Sequence, residues 1–229
     1  MSHSSIERFK SVTDRNVLAL QEAKQAGVKV VGQYCIYSPL EIALAAGAVP
    51  VSLCGTKNDS IPSAESILPR SLCPLIKSSF GFALEDSCPY LAASDIVVAD
   101  TTCDGKKKMF ELLAERKPMF MLQLPQIQNE PALEYWKGQY ESLIRHLEQL
   151  FGVCIGEKEL RAAIAKANRF RRALKSVLDL AKKKPSPLSG MELMEIAHRA
   201  SFVPDWDKAT ELLEDISREV GASAESPFS

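Results

Sequence analysis

The sequence lacks most of the features that would name a chemistry outright. No Cys-x-x-Cys pair occurs, which argues against a zinc ribbon. Gly-x-x-x-x-Gly-Lys-[Ser/Thr] and Gly-x-Gly-x-x-Gly are both missing, so nucleotide binding has no fingerprint. Histidine is scarce: His3, His146 and His198 are scattered and make no metal pattern. Long apolar runs are absent too. Pro50 to Leu53 and Met119 to Leu124 are strand-sized, well short of the roughly 20 residues of a spanning helix. The opening residues Met1 to Lys10 carry no apolar signal core. Nor does one sign of charge dominate: Lys+Arg 28 against Asp+Glu 29 leaves a formal net charge of -1, with no global field to attract nucleic acid or an anionic membrane. The expectation is a cytoplasmic protein with neither partner.

What is present reads as an ordinary globular chain. Hydrophobic residues make up 46% and charged residues 25% of 229 positions, enough to bury a core without staples. Ile6 to Ala26 reads as an amphipathic helix with Phe9, Val12, Val17, Leu18, Leu20 and Ala23 near one face and Gly27 as its stop. Val28 to Gly32 is a β-branched strand. Ser38-Pro39-Leu40-Glu41 opens a helix, with Ser38 as cap and Gly47 as stop. Val49 to Leu53 forms the next strand, Ala64 to Leu68 a short helix, and Pro74 to Leu84 a longer one. Asp95 to Ala99 is the continuous apolar strand of a sheet covered on both faces. Gly105 to Arg116 is a helix and Pro118 to Leu124 a fourth strand. This alternation predicts an α/β fold: a Rossmann-like layered sheet, mostly parallel. A helical extension follows, over Leu133 to Phe151, Glu157 to Lys184, Met191 to Ser201 (capped by Ser189) and Trp206 to Val220. Lys182-Lys183-Lys184 closes a helix, where cations suit the dipole. Gly221 to Ser229 reads as a small, polar, frayed tail.

The chemistry, if any, is in the thiols. Six cysteines in a chain of this kind are free thiols rather than disulfides. Cys35 follows the first strand and Cys103 the third, so both are placed on the carboxyl rim of the sheet, where open parallel sheets bind ligands, and at helix N-termini, whose N–H groups favour a thiolate or a thiolate-held cluster. Cys73-Pro74 and Cys88-Pro89 are Cys-Pro pairs of the kind that recur near iron–sulfur clusters, Cys73 at a helix start and Cys88 in a loop. A lone cysteine is ordinarily a small buried apolar residue; Cys154 is assigned to that ordinary case, and so is Cys54, although it ends the second strand and could face the same rim. Lys106, Lys107 and Lys108 crowd the first turn of a helix, a poor place for three cations unless an anion is near.

Three segments carry a resemblance. Gly32-Gln-Tyr-Cys-Ile-Tyr-Ser-Pro-Leu-Glu-Ile-Ala-Leu-Ala-Ala-Gly-Ala-Val-Pro-Val, Arg70-Ser-Leu-Cys-Pro-Leu-Ile-Lys-Ser-Ser and Asp100-Thr-Thr-Cys-Asp-Gly-Lys-Lys-Lys-Met resemble, in this order, motifs of the 2-hydroxyglutaryl-CoA dehydratase D-component family (2-hydroxyacyl-CoA dehydratases and benzoyl-CoA reductases). With Cys54, Cys73 and Cys88 added, the chain is most similar to the double-cubane cluster branch. The resemblance implies two Rossmann-like domains holding a [4Fe-4S] or double-cubane iron–sulfur cluster between them. Cys35 and Cys103 would be its ligands, and Cys73 and Cys88 further candidates. It also implies an ATP-dependent activator protein that supplies a low-potential electron, an acyl-CoA substrate that loses water through a ketyl radical, and a homo- or hetero-dimer. The double-cubane relatives instead reduce small molecules.

The resemblance also sets the expected domains: a cluster-binding Rossmann-like domain over 1–128 and a helical linker region over 129–229, with the second α/β domain and its cysteine absent. On that expectation the isolated chain is inactive and holds an incomplete cluster until a partner subunit completes it. The competing expectations are a non-catalytic interaction module without a cluster and a thiol redox protein using Cys103.

Overall fold

The computed structural model describes residues 3–55 and 57–223, and they divide into two compact units. One unit runs from Lys24 to Leu160. The other joins Met1–Ala23 to Arg161–Ser229.

The first unit is the α/β layer that the alternation predicts. Four strands, β1 (Val30–Gln33), β2 (Val49–Ser52), β3 (Ile96–Asp100) and β4 (Met119–Leu122), form one all-parallel sheet in the order β2-β1-β3-β4. Along β3 every residue is buried. Val97 and Ala99 enter one core with Phe80, Phe110 and Leu113. Ile96 and Val98 enter the other, with Ile42, Leu143 and Leu147. Alternation sends successive side chains to opposite faces, so a strand covered on both sides must be apolar throughout.

Helices supply the two covers. The first core is closed by α5 (Pro74–Leu84) and α7 (Asp104–Ala114), and the second by α3 (Leu40–Ala45) and α8 (Glu130–Phe151). Two short helices depart from expectation. The helix α4 occupies Ile61–Glu65 rather than 64–68, because Pro62 suits a first turn. Cys88 is not in a plain loop: it caps α6 (Pro89–Ala93), its sulfur accepting the Leu91 N–H at 3.4 Å. A five-residue helix is too short to show a hydrophobic period.

The second unit is helical throughout its described residues. The predicted first helix is two, α1 (Ser4–Thr13) and α2 (Asn16–Gln25), the latter reaching into the first unit's residues. At the junction Thr13 Oγ1 bonds back to Phe9 O at 2.9 Å, and the Arg15 N–H drops to Val12 O, an i−3 bond that tightens the turn. This rephases the apolar stripe and leaves Leu18, expected inside, 44% exposed. The helix α9 covers Glu157–Leu178, and a 3-10 turn over Asp179–Lys182 takes the place of its expected last turn. Ser189 caps α10 (Gly190–Ala200) in a full capping box with Glu192. The last helix, α11 (Trp206–Ala222), includes Gly221 and Ala222, which the sequence assigned to the tail; residues 224–229 of that tail lie outside the described residues. Within this unit α1 packs against α10 and α11, and the Phe170 and Trp206 rings meet at a tilt with centroids 4.6 Å apart. No helix among the described residues is long and apolar enough to cross a membrane.

Candidate functional site

The strand order has one reversal. From β1 the chain moves to β2 on one side; from β3 it moves to β4 on the other. The carboxyl ends of β1 and β3 therefore flank the crevice where open α/β sheets bind ligands. Cys35 follows β1 by two residues and Cys103 follows β3 by three.

Cys35 is not at a helix N-terminus, contrary to expectation. It sits in a bend five residues before α3, at a φ of 72°, in the left-handed region that non-glycine residues rarely occupy. Its positive neighbour is a side chain instead: Lys106, from the first turn of α7, places Nζ 2.7 Å from Cys35 Sγ. The expected cap is also absent. Pro39 occupies the N-cap of α3, and the buried Ser38 hydroxyl has no partner. Cys103 does stand at a helix N-cap, that of α7, exposed and making no side-chain cap bond.

Lys106 bonds one thiol and feels the charge of the other. Burial is the largest influence on it and pulls its pKa down. The Cys35 hydrogen bond and the charges of Cys35, Cys103 and Asp100 outweigh this and hold it above the ordinary lysine value. The other two lysines of the run are held elsewhere: Lys107 pairs with Asp104 at 3.1 Å and Lys108 with Glu111 at 2.9 Å. Close packing fixes this helix start. A Cβ on Gly105 would stand 2.8 Å from Leu72 Cδ1 and 2.9 Å from Ile76 Cδ1, so a larger residue there would make these two side-chain ends shift. Cys73, next to Leu72, is exposed at the N-cap of α5.

Sequence reasoning passed over three neighbours. Tyr34 is buried; desolvation pushes its hydroxyl pKa well up, and Cys88, Cys54 and Cys35 push it further. Cys54, assigned to packing, is exposed as a residue. Its partly desolvated thiol is still raised, with Lys106 lowering it and Cys35 raising it. Cys154, also assigned to the buried case, is likewise exposed. Asp100 ends β3 fully buried; Oδ2 accepts the Tyr37 N–H at 3.1 Å, while Oδ1 has no partner. A carboxylate closing an otherwise apolar strand was the readable signal for Asp100. The position of Cys54 just beyond the second strand was the readable signal for its place on the same rim as Cys35.

The donor chemistry suits soft iron, since thiolates near a cation and N–H groups are what iron–sulfur sites use. Among the described residues, however, no three or more His, Cys, Asp or Glu side chains come together to hold a metal ion. The thiols here fit part of a ligand set.

Comparison with known proteins follows the same lines. The family described as 2-hydroxyglutaryl-CoA dehydratase, D-component, matches residues 35–228, beginning at the cysteine beside Lys106. An Escherichia coli K12 chain provisionally named dehydratase subunit YjiM is 45% identical over 86% of this chain and 51% of its own length. The (R)-phenyllactyl-CoA dehydratase beta subunit of Clostridium sporogenes is 27% identical over 96% of this chain and 59% of its own. The (R)-2-hydroxyglutaryl-CoA dehydratase subunit beta of Acidaminococcus fermentans is 25% identical over 97% and 59%. The chain thus spans little more than half the length of the curated relatives it matches. Both thiols of the sheet reversal, and the helix that carries Lys106 between them, lie within the matched span, and the chain belongs to the 2-hydroxyglutaryl-CoA dehydratase D-component family.

Proposed function

We propose that this chain supplies one wall of an iron–sulfur site in a 2-hydroxyacyl-CoA dehydratase-like enzyme, with Cys35 and Cys103 as iron ligands. The observation that carries the reading is the Lys106 ammonium 2.7 Å from Cys35 Sγ, in the field of Cys103, at the reversal of the sheet. An anionic thiolate group is what such a cation stabilises. The positive φ of Cys35 is the kind of local strain that a functional position retains. When bound, the cluster supplies a low-potential electron and a Lewis-acidic iron for removing hydroxide from an acyl thioester. The electron would come from an ATP-dependent activator protein. Cys35 and Cys103 would hold the iron, and buried Asp100, which accepts the Tyr37 N–H, would fix the loop that carries Cys35. A partner subunit or further domain completes the ligand set, as the beta-subunit names of two relatives suggest. Cys73, exposed at the N-cap of α5, is a candidate additional ligand. Cys88 is engaged as a cap and is the weaker candidate.

The charges of Cys35, Cys54 and Cys88 all reach the Tyr34 hydroxyl, which favours a second reading, a double-cubane reductase of small molecules in which Cys54 and Cys88 also bind. One set of variants separates the two. The chain is reconstituted anaerobically with iron and sulfide, together with the C-terminal remainder of a family subunit, and iron is counted per chain. Cys35→Ala and Cys103→Ala should each lose most of the iron and the visible absorption, with Cys154→Ala as the unchanged control. Loss of about half the iron in Cys54→Ala or Cys88→Ala would favour the double-cubane reading. Undiminished iron in Cys35→Ala would sink the ligand assignment.

A further inference from the structure

A second feature occupies the same rim of the sheet. The loop after β1 (Tyr37), the loop after β4 (Leu124, Ile127) and the first two turns of α8 (Leu133, Trp136) line an open cleft of about 390 Å³, within the size range of small-molecule pockets. Its walls are fixed from the end of β3. Asp100 Oδ2 holds the Tyr37 N–H, and Thr101 Oγ1 accepts the Leu124 N–H at 2.9 Å. Tyr37 and Trp136 meet edge to face at 6.5 Å, Trp136 and Tyr140 lie 4.8 Å apart, and the Tyr140 hydroxyl donates to Tyr37 O at 3.3 Å. Apolar side chains nevertheless face solvent here: Ile127 is 64% and Leu133 59% exposed. Among the described residues no charged side chain lines the cleft; Gln128 and Asn129 are its polar lining.

We propose that this cleft binds the apolar side chain of the acyl group, aromatic or branched aliphatic, of a thioester substrate. The proposal rests on the dehydratase reading and adds a selectivity to it. Tyr37 lies two residues from Cys35, so a group seated in the cleft extends from the thiol rim. Aromatic walls and an uncharged lining reward an apolar group. They offer no cation to a second carboxylate, only the side-chain amides of Gln128 and Asn129. Of the two substrates named for the relatives, a phenyllactyl-type chain fits and a glutaryl-type chain does not.

The test measures binding by the full chain and does not require turnover. Calorimetric titration would compare 3-phenylpropanoyl-CoA, glutaryl-CoA and free CoA, with quenching of Trp136 fluorescence as a second readout. The phenylpropanoyl thioester should bind about tenfold tighter or better than the other two. Leu133→Glu, a change at an exposed position whose folding circular dichroism verifies, should erase that preference. Absence of binding, equal affinity for all three, or a preference that survives Leu133→Glu would each overturn the proposal. Iron uptake depends on the thiols rather than on Leu133. A chain that keeps the thioester preference but takes up no iron would refute the cluster and leave the cleft standing; the reverse result would refute the cleft alone.

Discussion

The two compact units differ in the polar groups they bury. Both bury uncharged ones, Thr13, Asn16 and Thr210 among them in the helical unit, but among the described residues the buried ionic side chains, Lys77 and Asp100, lie in the unit over Lys24–Leu160. In the unit over Lys24–Leu160, polar side chains go inside and are tied down. Lys77 is buried, with Nζ 2.7 Å from Glu65 and 2.8 Å from Arg70 O. Ser60, Ser78, Ser79 and Ser94 are buried and bond backbone carbonyls, and Asp100 is buried with one oxygen unmatched. In the helical unit the ionic groups lie at the surface as pairs: Lys10–Glu195 at 3.2 Å, Lys166–Asp207 at 2.8 Å and Arg169–Glu214 at 3.0 Å, with Arg199 shared between Asp14 and Glu195. Such exposed pairs contribute little each, and the apolar stripe of Phe9, Ile196, Leu213 and Ile216 carries the stability there. All six cysteines fall in the first unit. Buried polar groups are costly unless fixed, so a region that accumulates them has its geometry specified tightly, which suits a site that must hold reactive thiols in place.

The largest expected effect comes from the sheet core. Phe80→Ala removes a fully buried ring and should cost about 4 kcal/mol, read from urea unfolding. Amide exchange should then accelerate in β1 and β3 while α10 and α11 keep their protection. Equal acceleration everywhere would show that the units unfold as one and would break the comparison.

A smaller effect is expected at the amino-terminal edge of the sheet. Asp95 accepts Lys24 Nζ at 2.7 Å and the Val30 N–H at 2.8 Å. Desolvation raises its pKa, but these bonds outweigh it and hold the carboxyl below the ordinary range. A carboxyl depressed in the folded state adds stability above its unfolded pKa, about 3.9, and that stability fades as pH falls through the folded value. Asp95→Asn should therefore cost about 1 kcal/mol at pH 7, after allowance for solvent screening. The gap from wild type should narrow below about pH 4. A gap that stays constant with pH would assign the loss to geometry rather than charge.

The smallest effect belongs to the helical unit. Ser189→Ala removes the cap that accepts the Glu192 N–H at 3.2 Å and should cost up to about 1 kcal/mol, visible as faster exchange at the start of α10 and unchanged exchange in the sheet. Spread of that change into β3 would contradict the separate character of the two units.

Much of this architecture was legible. Pro74 to Leu84 is a helix to the residue, because proline suits a first turn and the apolar positions behind it are dense. The run at Asp95–Ala99 signalled a strand buried on both faces, and it is the central β3, shifted by one residue. The break between α1 and α2 was not legible, since a hydrophobic period passes smoothly over a two-residue turn made by Thr13 bonding backwards. At the site, the positions of Cys35 and Cys103 beyond the ends of β1 and β3 could be placed from strand–helix alternation. The partner of Cys35 could not: Lys106 lies 71 residues away in sequence, and the three consecutive lysines only hinted that one of them had an anion to meet.

The sequence alone determined that a parallel sheet would form and which thiols would stand beyond its strands, because hydrophobic period and helix punctuation are local and need only neighbouring residues. Strand order is a long-range property. Only the tertiary structure decided that β1 and β3 lie side by side, and so brought Cys35, Lys106, Asp100 and the walls of the apolar cleft to one edge. Those meetings depend on how two distant strands pair and on which helix covers each face, and no window of adjacent residues records either.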